Sequence, residues 1–145
     1  AVQCVYDKLK AKKKWFESDY SIVAAMVIVQ NENDESNYDA LVEKTAQWME
    51  AMKKQHPWLT GTDDIGFAAL LAASGLDTDA AMTDMEKSYQ ILKDSKKFGS
   101  ANGIQSLSHA LYLELGNIDI KCQRVIDLYE GLKEKKKRLF IVLSA

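Results

Sequence analysis

His56-Pro-Trp-Leu-Thr-Gly-Thr-Asp-Asp-Ile-Gly-Phe-Ala-Ala-Leu-Leu-Ala-Ala-Ser-Gly75 is the stretch on which the fold turns. Proline cannot continue a helix and pushes the residue before it toward extended backbone, so a preceding helix ends at His56. Thr60 and Thr62 offer hydroxyls to the orphan amides of a new first turn. Asp63 and Asp64 follow where the helix dipole favours negative charge, and Trp58 is placed to pack the helix entry as a hydrophobic staple. The run Ile65 to Ala73 is apolar apart from Gly66, and Gly75 suits a left-handed C-terminal cap. A bilayer span needs about 20 apolar residues, so this run is too short to cross. A surface helix carries a single apolar stripe, so a helix over about 63–74 without a polar stripe is expected to be buried nearly all round, at the centre of the core.

The rest of the chain is read outward from that helix. The 145 residues suffice for one domain with its own core, and one proline, seven glycines and a preponderance of Leu, Ala, Lys, Glu and Met favour helices. A formal charge of −2 gives no overall pull toward nucleic acid or anionic lipid, so neither is expected as a partner. The first ten residues lack the apolar core of a signal peptide. Cys4 and Cys122 lie on apolar helix faces with no CxxC spacing, which reads as two buried thiols in a reducing, cytoplasmic setting.

Laid against itself, the chain repeats. Trp15, Trp58, Phe98 and Phe140 each follow a lysine-containing helix end, at spacings of 43, 40 and 42 residues. Glu43-Lys-Thr-Ala-Gln-Trp-Met49 matches Glu86-Lys-Ser-Tyr-Gln-Ile-Leu92, and Val5-Tyr-Asp-Lys-Leu-Lys10 echoes Leu128-Tyr-Glu-Gly-Leu-Lys133. The spacing predicts a leading helix at about 2–14 and three helical pairs: 19–30 with 38–54, 63–74 with 79–94, and 103–115 with 118–136. The apolar run Ile22 to Val29 would also suit a buried strand, but its register with 63–74 and Ser18-Asp19 before it argue for helix. The second helix of each pair carries a one-sided stripe: Leu41, Thr45, Trp48 and Met52; Met82, Met85, Tyr89 and Leu92; Ile118, Cys122, Val125, Tyr129 and Leu132. The first helices of pairs one and two have no polar stripe, so their outer side needs a neighbour or becomes an exposed apolar patch, the usual mark of an interface. The tail Leu139 to Ala145 reads as the start of a further helix of that kind.

The third pair departs from the others. Gln105, Ser106, Ser108, His109 and Tyr112 put polar groups where the earlier pairs are apolar, and Gln105, His109 and Tyr112 share one helix face. Asn102 is placed to cap that helix, with Gln105 three residues on as a capping-box partner. His109 has the chemistry of a base or ligand, with Asp63 and Asp64 supplied by the preceding pair. The candidate ligand-binding residues are therefore Asp63, Asp64, Asn102, Gln105, His109 and Tyr112. His56 and His109 are the only histidines and form no HExxH or similar pair, and the acidic loop Asn31 to Asp39 lacks the glycine and terminal glutamate of an EF-hand. No metal, cofactor or catalytic residue is implied.

Three segments carry a family likeness. His56-Pro-Trp-Leu-Thr with Asp63-Asp64 and Ala68-Ala-Leu-Leu71, then Asn102-Gly-Ile-Gln-Ser-Leu-Ser-His-Ala-Leu111, and Ser18-Asp-Tyr20, resemble signature segments of a bacterial family known as domain of unknown function four thousand and three. The likeness covers about residues 1 to 134. It implies a longer parent protein lacking its N-terminal portion here, and no activity.

The expectation is a single all-α domain over 1–145, about seven helices in tandem hairpins of about 40–43 residues forming a solenoid-like array of either hand. The expected role is a non-catalytic interaction module that meets a protein partner, or itself, through an apolar helix face. The alternative is a small-molecule-binding or hydrolytic protein with its site around His109, Asp63 and Asp64.

Overall fold

The computed structural model describes the backbone of residues 1–144 and the side chains of residues 1–138. The described residues form seven α-helices, α1 (Val2–Lys12), α2 (Tyr20–Asn31), α3 (Tyr38–Gln55), α4 (Ile65–Ser74), α5 (Thr78–Asp94), α6 (Ala101–Leu113) and α7 (Ile118–Ser144). Short 3-10 turns lie at Lys14–Phe16, Glu35–Asn37 and Thr62–Asp64, and no strand occurs among the described residues. The fold is all-α. Contacts divide the chain into two compact units, Ala1–Met82 and Thr83–Ala145, so that α5 begins in the first and continues in the second.

In the first unit α4 packs on both α2 and α3, while α1 packs on the same two helices. Small side chains make the α2–α4 approach close. Ala24 and Ala25 of α2 and Ala68, Ala69 and Ala72 of α4 are buried, and Gly66 lies beside Val23. Larger residues fill the remaining space: Ile28, Val42, Trp48, Met49, Met52, Ile65 and Leu71 are buried. The α3 stripe is wider than its spacing implied, because Val42, Ala46 and Met49 join Thr45, Trp48 and Met52, and Leu41 is only half-buried. Gly75 closes α4 in the left-handed conformation (φ 70°, ψ 11°), where a Cβ would be strained.

Burial of the stripeless helices is not complete. Leu70 of α4 reaches solvent, and the α2 face bearing Ile22, Val23 and Met26 is 42, 50 and 46 % exposed. Ser21, on the opposite face of α2, is wholly buried and its hydroxyl has no hydrogen-bond partner. Trp58 corrects the expectation of a hydrophobic staple. It is 96 % exposed at the tip of the loop, which is anchored instead by the Thr60 hydroxyl donating to the Met52 carbonyl (3.1 Å). Cys4 is likewise exposed, whereas Cys122 is buried; both are free thiols, and burial raises the pKa of Cys122.

In the second unit the buried side chains include Met85, Tyr89 and Leu92 of α5, Ile104 and Leu111 of α6, and Ile118 and Cys122 of α7. The expected α7 stripe ends early, for Val125 is half-buried while Tyr129 and Leu132 are exposed. Phe98 packs on Tyr129 with ring centroids 5.0 Å apart. The helix runs unbroken to Ser144, so the tail continues α7 rather than opening a further helix. The side chains of Leu139 to Ala145, Phe140 of the aromatic series among them, lie outside the described residues.

Two adjacent leucines test this packing. Leu71→Ala is expected to lose about 2–5 kcal/mol in urea unfolding, and Leu70→Ala distinctly less, because only Leu71 leaves a sealed cavity; equal losses would contradict the burial pattern. Ser21→Ala is expected to stabilise by about 1 kcal/mol, since it removes a buried unsatisfied hydroxyl and improves helix propensity. A loss on that substitution would show that the hydroxyl is bonded.

Candidate functional site

The six candidate residues fall in different units, Asp63 and Asp64 in the first, Asn102, Gln105, His109 and Tyr112 in the second. At the start of α4, Asp64 is buried and its carboxylate accepts a hydrogen bond from the Gly61 amide (2.9 Å). The cap expected of Thr60 or Thr62 is thus served from inside the turn by Asp64, the reciprocal half of a capping box. Burial, and the neighbouring Asp63 charge to a smaller degree, raise the Asp64 pKa against the lowering effect of the Gly61 amide. Asp63 is exposed, and its Oδ1 lies 2.7 Å from where a Cβ on Gly61 would stand, so a side chain at Gly61 would displace it.

On α6 the cap differs from the expectation. Ser100 is the N-cap, its hydroxyl accepting from the Gly103 amide (3.2 Å), and Asn102 is an exposed first-turn residue. Asn102, Gln105, His109 and Tyr112 do share one side of α6 by helical spacing. Along that side the middle is deepest: Asn102 is open, Gln105 and His109 are each only 2 % exposed, and Tyr112 is half-buried. Ser108, beside them, donates to the Gln105 carbonyl (2.7 Å). Gln105 and His109 therefore belong to helix packing at this depth, with little surface for a dissolved substrate to meet.

Lys121 went unrecognised in the sequence. It is buried, and its Nζ donates to the carbonyls of Leu111 and Glu114, both at 2.6 Å. A cation seated on the last carbonyls of α6 satisfies acceptors that have no helical partner and complements the dipole. The signal was present: a lysine beside Cys122 in the apolar stripe of a helix starting just after another helix ends.

A depression of about 250 Å³ in the second unit is lined by Lys97, Tyr129, Glu130, Lys133, Glu134 and Lys137, none of them a candidate residue. Among the described residues no three His, Cys, Asp or Glu side chains are grouped so as to hold a metal ion. No described helix is long and apolar enough to cross a membrane.

Apolar side chains also reach the surface together. From Tyr20 to Gln30 the chain carries no charged residue, and Tyr20, Ile22, Val23 and Met26 are exposed along α2, with Leu70 exposed on adjoining α4. Acidic residues bracket this face, Glu17 and Asp19 at one end and Glu32, Asp34 and Glu35 at the other.

The Asp64 environment has a pH signature. The folded chain holds this proton more tightly than the unfolded chain, so the folded state binds more protons above the ordinary aspartate value of 3.8. The Asp64 contribution to stability therefore falls as pH rises through that window. The difference in unfolding free energy between the wild type and Asp64→Asn, which keeps the acceptor, should shift toward the variant from about pH 4 upward; a flat difference would refute the raised pKa.

No curated protein and no solved structure matches this chain at a significant level. A family model does, over residues 1–142, reaching past the expected limit of the likeness and into the tail. With nearly its whole length so matched, the chain belongs to the family described as protein of unknown function DUF4003.

Proposed function

We propose that the protein is a non-catalytic module of helical hairpins that binds a helical protein surface through the exposed face of α2, extended by Leu70 of α4. One observation carries the reading: Ile22, Val23 and Met26 stand in solvent on a helix with no charge between Tyr20 and Gln30. Contiguous apolar surface of that kind, rimmed by polar residues, is typical of interaction sites, and apolar side chains at helical spacing suit a partner helix laid alongside. The acidic bracket favours a partner helix with basic ends.

The hairpin reading draws support from ion pairs. In the first unit Lys8 and Lys12 of α1 pair with Asp39 and Glu43 of α3, each at 2.6 Å. In the second, Lys87 and Lys97 pair with Asp119 and Glu130 of α7, at 2.6 and 2.5 Å. Lysines of α5 and of the loop after it thus meet α7 as lysines of α1 meet α3, at similar sequence offsets in both units. A catalytic reading has less to draw on, with Asp64 engaged in a cap and His109 at 2 % exposure.

The test is site-specific photocrosslinking in cells producing the protein. A photoreactive side chain in place of Met26 should give a discrete protein adduct that Val23→Asp abolishes, while the same group in place of exposed Gln90 on α5 should give none. Equal yields at the two positions, or an adduct indifferent to Val23→Asp, would sink the proposal. Val23→Asp itself is expected to change unfolding free energy by no more than about 0.5 kcal/mol, as for other exposed positions.

A further inference from the structure

The segments Val5-Tyr-Asp-Lys-Leu-Lys-Ala-Lys-Lys-Lys14 and Leu128-Tyr-Glu-Gly-Leu-Lys-Glu-Lys-Lys-Lys137 agree at six of ten positions, one tyrosine, one leucine and four lysines. Their surroundings are opposite. On α1, Val5 and Leu9 are 0 % exposed because the helix packs on α2 and α3, and Lys12 and Lys13 pair with Glu43 and Glu50 of α3 at 2.6 Å. On α7 the equivalent Leu128 and Leu132 are 62 and 58 % exposed. The chain thus carries one sequence pattern twice, once docked on a helical surface with an acidic edge and once open.

What the open copy needs can be read from the docked one: apolar helix surface for the two aliphatic side chains, and carboxylates within reach of the lysines. The exposed face of α2 offers both, an uncharged stretch from Tyr20 to Gln30 with acidic residues at either end. The α7 strip from Leu128 to Arg138 is complementary, apolar at Leu128 and Leu132 and net basic, with Lys133, Lys135, Lys136, Lys137 and Arg138 outnumbering Glu130 and Glu134, which pair with Lys97 and Arg138. At a rise of about 1.5 Å per residue the two strips are each about 15 Å long. Pairing α2 with a second α2 would instead set acid against acid, because both ends of that face carry the same sign.

We propose that the Leu128–Arg138 strip of α7 in one chain docks on the exposed α2 face of a second copy. The inference rests on the reading of that face as an interface and names its occupant. The contact is heterologous, so a pair of copies keeps a free α2 face on one and a free α7 strip on the other, and assembly continues into chains or rings.

Sedimentation of the whole chain from micromolar to near-millimolar concentration provides the test. The wild type should grow in mass with concentration and pass beyond the dimer. Near 1 M salt, where the Debye length falls to about 3 Å, growth should weaken. Leu132→Asp and Val23→Asp, both at exposed positions, should each remain monomeric with unchanged helical circular dichroism. Mixed in equal amounts they should form dimers and stop there, since one supplies an intact α2 face and the other an intact α7 strip. A wild type that stays monomeric at every concentration overturns the proposal. So does association lost with Val23→Asp but kept with Leu132→Asp, which would mean that α2 meets another surface. Either result would leave the α2 crosslinking prediction standing on its own.

Discussion

Two helices without a polar stripe, α2 and α4, must be covered before the rest of the first unit can be arranged. Their packing is made possible by small side chains, Ala24 and Ala25 on one side and Ala68, Ala69 and Ala72 on the other. Alanine loses no side-chain entropy on burial, so these positions give close contact at little cost, and Ile28, Ile65 and Leu71 add the larger transfer free energy of buried aliphatic groups. A helix has limited perimeter, however. With α1, α3 and α4 packed against one side of α2, the opposite side has no neighbour within the unit, and Ile22, Val23 and Met26 are what is left over.

The ion pairs play a different part. Lys8–Asp39, Lys12–Glu43 and Lys13–Glu50 are largely solvent-exposed, and exposed pairs contribute little net stability. Their effect is geometric. Three lysines of the α1 segment meeting three carboxylates of α3 favour one register of α1 along α3, the register in which Val5 and Leu9 face inward. The hydrogen bonds holding the Lys8 ammonium to Asp39 and the Glu43 carboxylate to Lys12 raise the Lys8 pKa and lower that of Glu43.

Helix identity and order were legible because hydrophobic period, proline, glycine and capping residues act locally. Gly75, His56-Pro57 and Ser18 before α2 are each used as their chemistry suggests, the Ser18 hydroxyl accepting from the Tyr20 amide (3.3 Å). What period does not disclose is whether a neighbour exists to cover an apolar stripe. Leu9 and Leu132 occupy the same place in similar segments, yet one is sealed and the other open, and it is Leu9 whose helix packs on α2 and α3. Trp58 illustrates the same limit. Cap choice was also ambiguous, since Ser100 and Asn102 are both good N-caps and only the start of the helix at Ala101 decides between them. The α6 residues were correctly grouped on one side by spacing, but spacing carries no information on depth, and depth is what separates a buried His109 from a reactive one.

The acidic bracket around α2 bears on selectivity more than on strength. Apolar area from Ile22, Val23 and Met26 would attract any apolar helix, its own copy included, and attraction of that kind does not discriminate. Charges at the rim do, because like-charge juxtaposition penalises the wrong partner while opposite charge speeds and orients the right one. Under the proposed docking, a face uncharged at its centre and acidic at both ends would reject a duplicate of itself and accept a helix such as α7, whose exposed leucines run into a lysine-rich end. The same lysine-rich pattern, already engaged with carboxylates along α3, shows that this chain's helices meet through that combination of apolar contact and opposite charge.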